Sequence, residues 1–137
     1  MLKKLLLFLI VSASAVGWFN RPHQLSVGPV IIDIEIVDTA AKRIQGLSNR
    51  TSLADQSGML FIFPQPGRHS FWMKDMNFPL DFIWIRSGRV VQISTNVPAT
   101  QPAVTLTPDS LVDQVLEIPA GFIDKNGIKV GDEVRRR

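Results

Sequence analysis

The stretch from Ser57 to Ile93, SGMLFIFPQPGRHSFWMKDMNFPLDFIWIRSGRVVQI, constrains the fold more than any other part of the chain. It gathers two of the three tryptophans and five of the eight phenylalanines, and turn-forming residues cut it into short pieces. A piece of five to seven apolar, β-branched and aromatic residues between Gly/Pro breaks is too short for a packed helix and suits a strand. Met59 to Phe63 is continuously apolar and reads as a central strand, buried on both faces. Pro64-Gln65-Pro66-Gly67 then predicts a turn, because the prolines fix φ and the glycine admits positive φ. Arg68 to Met73 is expected to return as a strand. Asp81 to Arg86 and Arg89 to Ile93 flank Ser87-Gly88, the spacing of a two-residue hairpin.

The flanking segments repeat this pattern. From Val30 to Val37, Ile32, Ile34 and Ile36 fall on one face and Asp33 and Glu35 on the other, a half-buried strand. Asp38-Thr39 offers a helix cap, with Ala40, Ile44 and Leu47 at helical spacing and Gly46 near the end, so the helix is about two turns long. Pro98 to Pro108 is a loop. The segment 109–117 is ambiguous: its acidic residues lie four apart, yet Gln114 to Ile118 suits a strand ended by Pro119. The expectation is a helical turn over Pro108 to Leu111 followed by a strand. Gly121 to Gly127 reads as a turn or one helical turn, and Ile128 to Val134 as a last strand pair bent at Gly131-Asp132. Many short strands with frequent Gly and Pro predict a mainly β domain, an antiparallel sandwich or partly open barrel with one or two short helices.

The first residues have the layout of an export signal. Met1-Leu2-Lys3-Lys4 is basic, Leu5 to Val11 is apolar, and Ala13-Ser14-Ala15 is an A-x-A site. Residues 1–15 are thus a signal peptide, or else residues up to Phe19 form an uncleaved membrane anchor. Fifteen helical residues rise only about 22 Å against a hydrocarbon core of about 30 Å, which makes such an anchor short. Either way the domain is expected outside the cytoplasm: secreted, periplasmic or tethered to the outer face of the cytoplasmic membrane. Residues 16–29 read as linker, 30–134 as one β-domain and 135–137 as a basic tail.

The net charge of +3 overstates how basic the domain is. Val16 to Val134 carries ten Lys/Arg and twelve Asp/Glu, a net of −2. A duplex-binding module needs a basic face, so nucleic acid is not an expected partner. The absence of cysteine excludes disulfides, thiolate metal sites and a cysteine nucleophile.

Several pieces taken together resemble the domain of unknown function 192 family. They are Gly46-Leu47 with Arg50, Gly58-Met59-Leu60-Phe61, Phe71-Trp72-Met73-Lys74 and Pro79-Leu80-Asp81, then Val115-Leu116-Glu117, Pro119-Ala120-Gly121 and Gly131-Asp132. The resemblance runs from Ile31 to Val134. It implies a small β-rich domain, often exported or tethered to a membrane, and it brings no activity. The chain departs from the family pattern at Asp75 and Met76, where Asn and Thr are usual.

The polar residues among these motifs define the candidate site. Arg50, Trp72, Lys74, Asp81 and Glu117 would give an aromatic platform with both charge signs if strand ends bring them together. That combination suits a small polar ligand or an envelope protein, and implies a non-catalytic binding module without cofactor or metal. The structural reading of the same residues is an ion-pair network, Lys74 with Asp81 or Glu117 and Arg50 pinning a turn. Asp81 and Glu117 also admit an envelope hydrolase, if their carboxyls stand about 5 to 10 Å apart. A structural accessory domain is the third reading. His69, Met73 and Met76 have the donor types for Cu(I), though methionine usually packs. Asp124-Lys125-Asn126-Gly127 matches a calcium loop only in part and suits a turn better.

Overall fold

The computed structural model describes residues 23–137; the expected leader or anchor and the start of the linker lie outside them. In chain order the elements are β1 (His23–Val27), β2 (Val30–Val37), α1 (Ala40–Gln45), β3 (Ser57–Gly67), β4 (Phe71–Trp72), β5 (Leu80–Arg86), β6 (Arg89–Val97), β7 (Thr105–Leu106), β8 (Val112–Pro119), α2 (Phe122–Asn126) and β9 (Val134–Arg136). Seven strands form one sheet in the order β6-β5-β8-β3-β2-β1-β9, and β4 and β7 form a separate pair. The two edges of the large sheet approach each other. Arg89 bridges Glu133, and the amides of Val90 and Val134 donate to the carbonyls of Asp132 and Gly88. The sheet is therefore a curled, nearly closed half-barrel, the partly open barrel expected of so many short strands.

The period-2 alternation of the central strands sends side chains to two separate cores. Leu25, Ile32, Ile34, Leu60, Ile83, Ile85, Leu116 and Ile118 pack together with Phe122 and Ile123 of α2 on one face. Met59, Phe61, Phe82, Trp84 and Val115 face the other way and pack with Leu47, Phe71, Met73 and Met76. β3 and β8 approach so closely that Gly58 has no room for a side chain. A Cβ there would stand 2.7 Å from Ile118 Cγ2 and 2.8 Å from the Glu117 carbonyl oxygen.

Several expectations are corrected. β2 and β3 pair in parallel, with α1 in the connection between them, so the sheet is mixed. Residues 23–27, expected in the linker, form β1, and residues 135–136 of the expected tail belong to β9. These two strands pair with each other, Ser26 opposite Arg135, and β1 also pairs with β2. β9 takes its hydrogen bonds from a neighbour far along the chain, whereas β1 is a hairpin partner of β2 whose five residues include only two apolar ones, Leu25 and Val27. The Pro64–Gly67 segment continues β3 as extended chain. The fixed φ of proline fits an extended backbone as well as a turn, and its missing N–H explains why ladder pairing breaks off between Ile62 and Gly67. Of the strand expected over Arg68 to Met73 only Phe71–Trp72 forms. No helical turn forms over 108–111, while the following strand does. Ile128 to Asp132 is loop with a turn at Val130-Gly131, and Glu133 makes only an isolated bridge, leaving three residues of β9.

Other local expectations are met. Val30–Val37 is a strand with Ile32 and Ile34 buried, and Arg86 pairs with Arg89 across the Ser87-Gly88 turn. The Thr39 side chain accepts the Lys42 amide at 3.3 Å, capping α1. That helix buries none of its residues, and Ile44 remains 73% exposed. An apolar side chain displayed in this way is informative, because it stands on the wall of a cleft.

Candidate functional site

The cleft opens on the aromatic face of the sheet. α1 and the turn after it supply Arg43, Ile44, Leu47 and Ser48, β3 supplies Phe61 and Phe63, and the small pair β4–β7 supplies Phe71, Trp72 and Thr105. Its volume is about 590 Å³, within the range usual for small-molecule sites. The Phe71 ring meets Phe61 edge-on with centroids 4.9 Å apart, and Phe63 likewise at 6.1 Å. Edge-to-face packing of this kind holds aromatic walls in fixed orientation.

Glu117 also lines this cleft. Its position follows from strand register. Glu117 of β8 pairs with Met59 of β3 and Phe82 of β5, and Met59 pairs with Glu35 of β2. Directly opposed residues share a face, so Glu35, Met59, Glu117 and Phe82 form one row across four strands. Glu35 is near the margin and exposed, whereas Glu117 is 5% exposed. The ion pairs among the described residues are Lys42–Asp38, Arg50–Glu35 and Arg135–Glu133, so none reaches Glu117. Nor does any side-chain hydrogen bond among the described residues involve its carboxyl. Burial without a partner penalises the charged form and pushes the carboxyl up to about 8 from an ordinary 4.5.

Asp81 is as deeply buried, at 0% exposure, but points the opposite way. It pairs with Ile118, on the face of the α2-capped core. Its two oxygens accept the amides of Asn96 at 2.7 Å and Ile123 at 2.9 Å. Ile123 is in the first turn of α2, whose cap position is Gly121, a residue with no side chain to bond the helix amides. Asp81 thus does from a neighbouring strand what an N-cap side chain would do locally. Asn96 has φ +52, and its amide is held by the other oxygen.

The five sequence-predicted residues are therefore divided. Trp72 and Glu117 both line the cleft. Lys74 lies over the Trp72 ring, Nζ 5.3 Å from the centroid, and Trp72 remains 54% exposed. Arg50 bridges Glu35 at 2.9 Å, in the row of Glu117 but with both side chains substantially exposed. A pair of that kind contributes about 0–1 kcal/mol. Asp81 is outside the group, so it and Glu117 do not face one another as a catalytic acid pair must. The ion pairs imagined for Lys74 with Asp81 or Glu117 are not among those of the described residues.

Sequence reasoning missed the apolar walls, Phe61, Phe63, Phe71 and Ile44, which looked like ordinary core. It also missed Arg43, which donates to the Ile62 carbonyl at 2.8 Å and lies 5.2 Å over the Phe63 ring. The exposed apolar residue on a helix without buried positions was the available signal.

The remaining motifs have structural placements. Met73 and Met76 are in the aromatic core, while His69 stacks on Phe63 at 3.7 Å and bonds the Gln65 carbonyl at 2.9 Å. Among the described residues no cluster of three or more His, Cys, Asp or Glu has metal-binding geometry. Asp124, Lys125 and Asn126 are in α2, with Gly127 as its C-cap. A second hollow, of about 490 Å³, lies along β1 and β2; its carboxylate, Asp33, already accepts from Gln24 at 2.9 Å.

A curled mixed sheet with two short helices, two cores and an aromatic cleft defines a compact class of β-rich domains. The chain belongs to the domain of unknown function 192 family, whose model, described as an uncharacterized ACR, matches residues 23–136. No curated protein matches it. Two solved structures are similar. A protein of unknown function from Novosphingobium aromaticivorans is 33% identical with a TM-score of 0.75, the match covering 82% of this chain and 83% of that one. A candidate transcription regulator from Sinorhizobium meliloti is 28% identical with a TM-score of 0.77, covering 83% of this chain and 92% of that one.

Proposed function

We propose that the protein is a non-catalytic binding module of the cell envelope whose cleft takes a small, mainly apolar molecule bearing one polar group. The observation that carries this reading is Glu117, a buried acid without a protein partner beneath aromatic walls. Buried polar groups are normally satisfied, and one left open on a cleft favours a partner from outside. The basic start, the apolar run and the A-x-A site of the sequence support the envelope location. Among the described residues no helix is long and apolar enough to cross a membrane.

A hydrolase with paired carboxylates is not favoured, because Asp81 is turned to the other core with both oxygens occupied. Nor does charge favour nucleic-acid binding here, although the similar Sinorhizobium protein is described as a candidate transcription regulator. Residues 23–137 hold twelve Lys/Arg and twelve Asp/Glu, no surplus for a phosphate-binding face.

N-phenyl-1-naphthylamine, a neutral dye that brightens in apolar sites, tests the reading. Thr105 is exposed on the cleft wall opposite Trp72 in the β4–β7 register, so Thr105→Trp fills the opening. The wild-type chain is expected to enhance the dye's fluorescence saturably, and T105W to lose most of that enhancement while keeping its circular dichroism. No enhancement in the wild type, or the same enhancement in both, would overturn the proposal.

A further inference from the structure

The geometry points to a ligand class for this cleft: an organic cation, an ammonium group carried on an apolar body, with the ammonium seated on Glu117. The inference rests on the cleft reading above and adds the sign of the ligand's charge.

Three observations support it. First, Glu117 is buried among Met59 and Phe82 of the neighbouring strands, and neither can neutralise a carboxylate. A carboxylate largely withdrawn from water gains most from a full positive charge brought into contact. Second, the protein's own cations in this region are already committed. Arg43, from α1, donates to the Ile62 carbonyl and covers Phe63; Lys74, after β4, lies on Trp72; and Arg50 bridges Glu35 of β2. The other elements around Glu117 present Met59, Phe61, Phe71 and Phe82. Third, Phe61 and Phe71 also line the cleft and, among the described residues, carry none of the cation contacts that Arg43 and Lys74 make to Phe63 and Trp72, and aromatic ring faces attract cations. Aromatic rings beside a carboxylate make a site that favours an ammonium over a neutral or anionic head group.

Binding has a proton balance. Glu117 without ligand holds its proton at neutral pH because burial pushes it up to about 8. The ligand enters as an ammonium and keeps its own protons. Glu117 gives up its carboxyl proton to solvent, and the ion pair forms, so one proton is released per ligand bound. Affinity should rise up to about tenfold per pH unit below the carboxyl midpoint and level off above it.

The test displaces N-phenyl-1-naphthylamine from the full-length chain with n-hexylamine, n-hexanol and n-hexanoate between pH 6 and pH 9, where hexylamine stays protonated. The wild type should prefer hexylamine at pH 8.5 by about tenfold or more over hexanol, with the pH dependence just described. Glu117→Gln keeps the side-chain shape without the charge. It should remove both the preference for the amine and the pH dependence, so that amine and alcohol displace the dye alike. Equal displacement by amine and alcohol, or a preference for hexanoate, would overturn the cation inference and leave the cleft reading standing. Failure of the dye itself to bind would overturn the cleft reading and this inference with it.

Discussion

Asp81 and Glu117 lie on adjacent antiparallel strands, one register step apart, and both are buried. The pleat alone sends them to opposite faces. On its face Asp81 finds two backbone amides and becomes a structural tie between β5, the end of β6 and α2. On the other face Glu117 finds apolar rings and open space. Residue type, burial and strand position are nearly the same for the two acids, so their neighbours decide their chemistry. One region uses its carboxylate to close the fold, whereas the other leaves a carboxyl available to a ligand.

Substitution should separate these roles. The largest expected effect is at Asp81. Asp81→Ala removes two hydrogen bonds and leaves the buried amide of Ile123 without its acceptor, which should cost about 2–4 kcal/mol of unfolding free energy in urea titrations. A loss below about 1 kcal/mol would mean that Asp81 is not the tie described.

The next effect is smaller and depends on pH. The folded-state pKa of Glu117 is raised above its unfolded value. The folded state therefore keeps a proton that the unfolded chain releases as pH passes about 4.5. The associated stability is fully present below that point, declines as pH rises, and is gone above about 8. Wild type and Glu117→Gln should accordingly diverge, the wild type losing about 2–4 kcal/mol relative to the variant between pH 5 and pH 8.5. Parallel pH profiles would show that the two acids differ less than the geometry indicates.

Much of the frame was legible because local chemistry and tertiary structure agree. The isoleucines of Val30–Val37, the Thr39 cap and the Ser87-Gly88 hairpin each carry their own signal. β9 does not, since its pairing is supplied by β1, more than 100 positions away, and β1, though paired with the adjacent β2, has only Leu25 and Val27 as apolar residues. The parallel joining of β2 to β3 is equally silent in the sequence. At the site, Glu117 and Trp72 stood out as polar and aromatic residues within recognisable motifs. The face that each acid would take depends on register across β5, β8 and β3, and a one-residue slip exchanges faces. For that reason Asp81 looked like a partner of Glu117 when it belongs to the other core.

The ionisation of Glu117 itself gives the most direct test. The side-chain carboxyl carbon of glutamate can be followed by carbon-13 NMR in selectively labelled protein, with Glu117→Gln assigning the signal. A midpoint near 8 in the ligand-free chain is the predicted result. A midpoint near 4.5 would mean that the carboxyl is solvated or already paired, and the cleft would then lack the unsatisfied acid on which the proposed function depends.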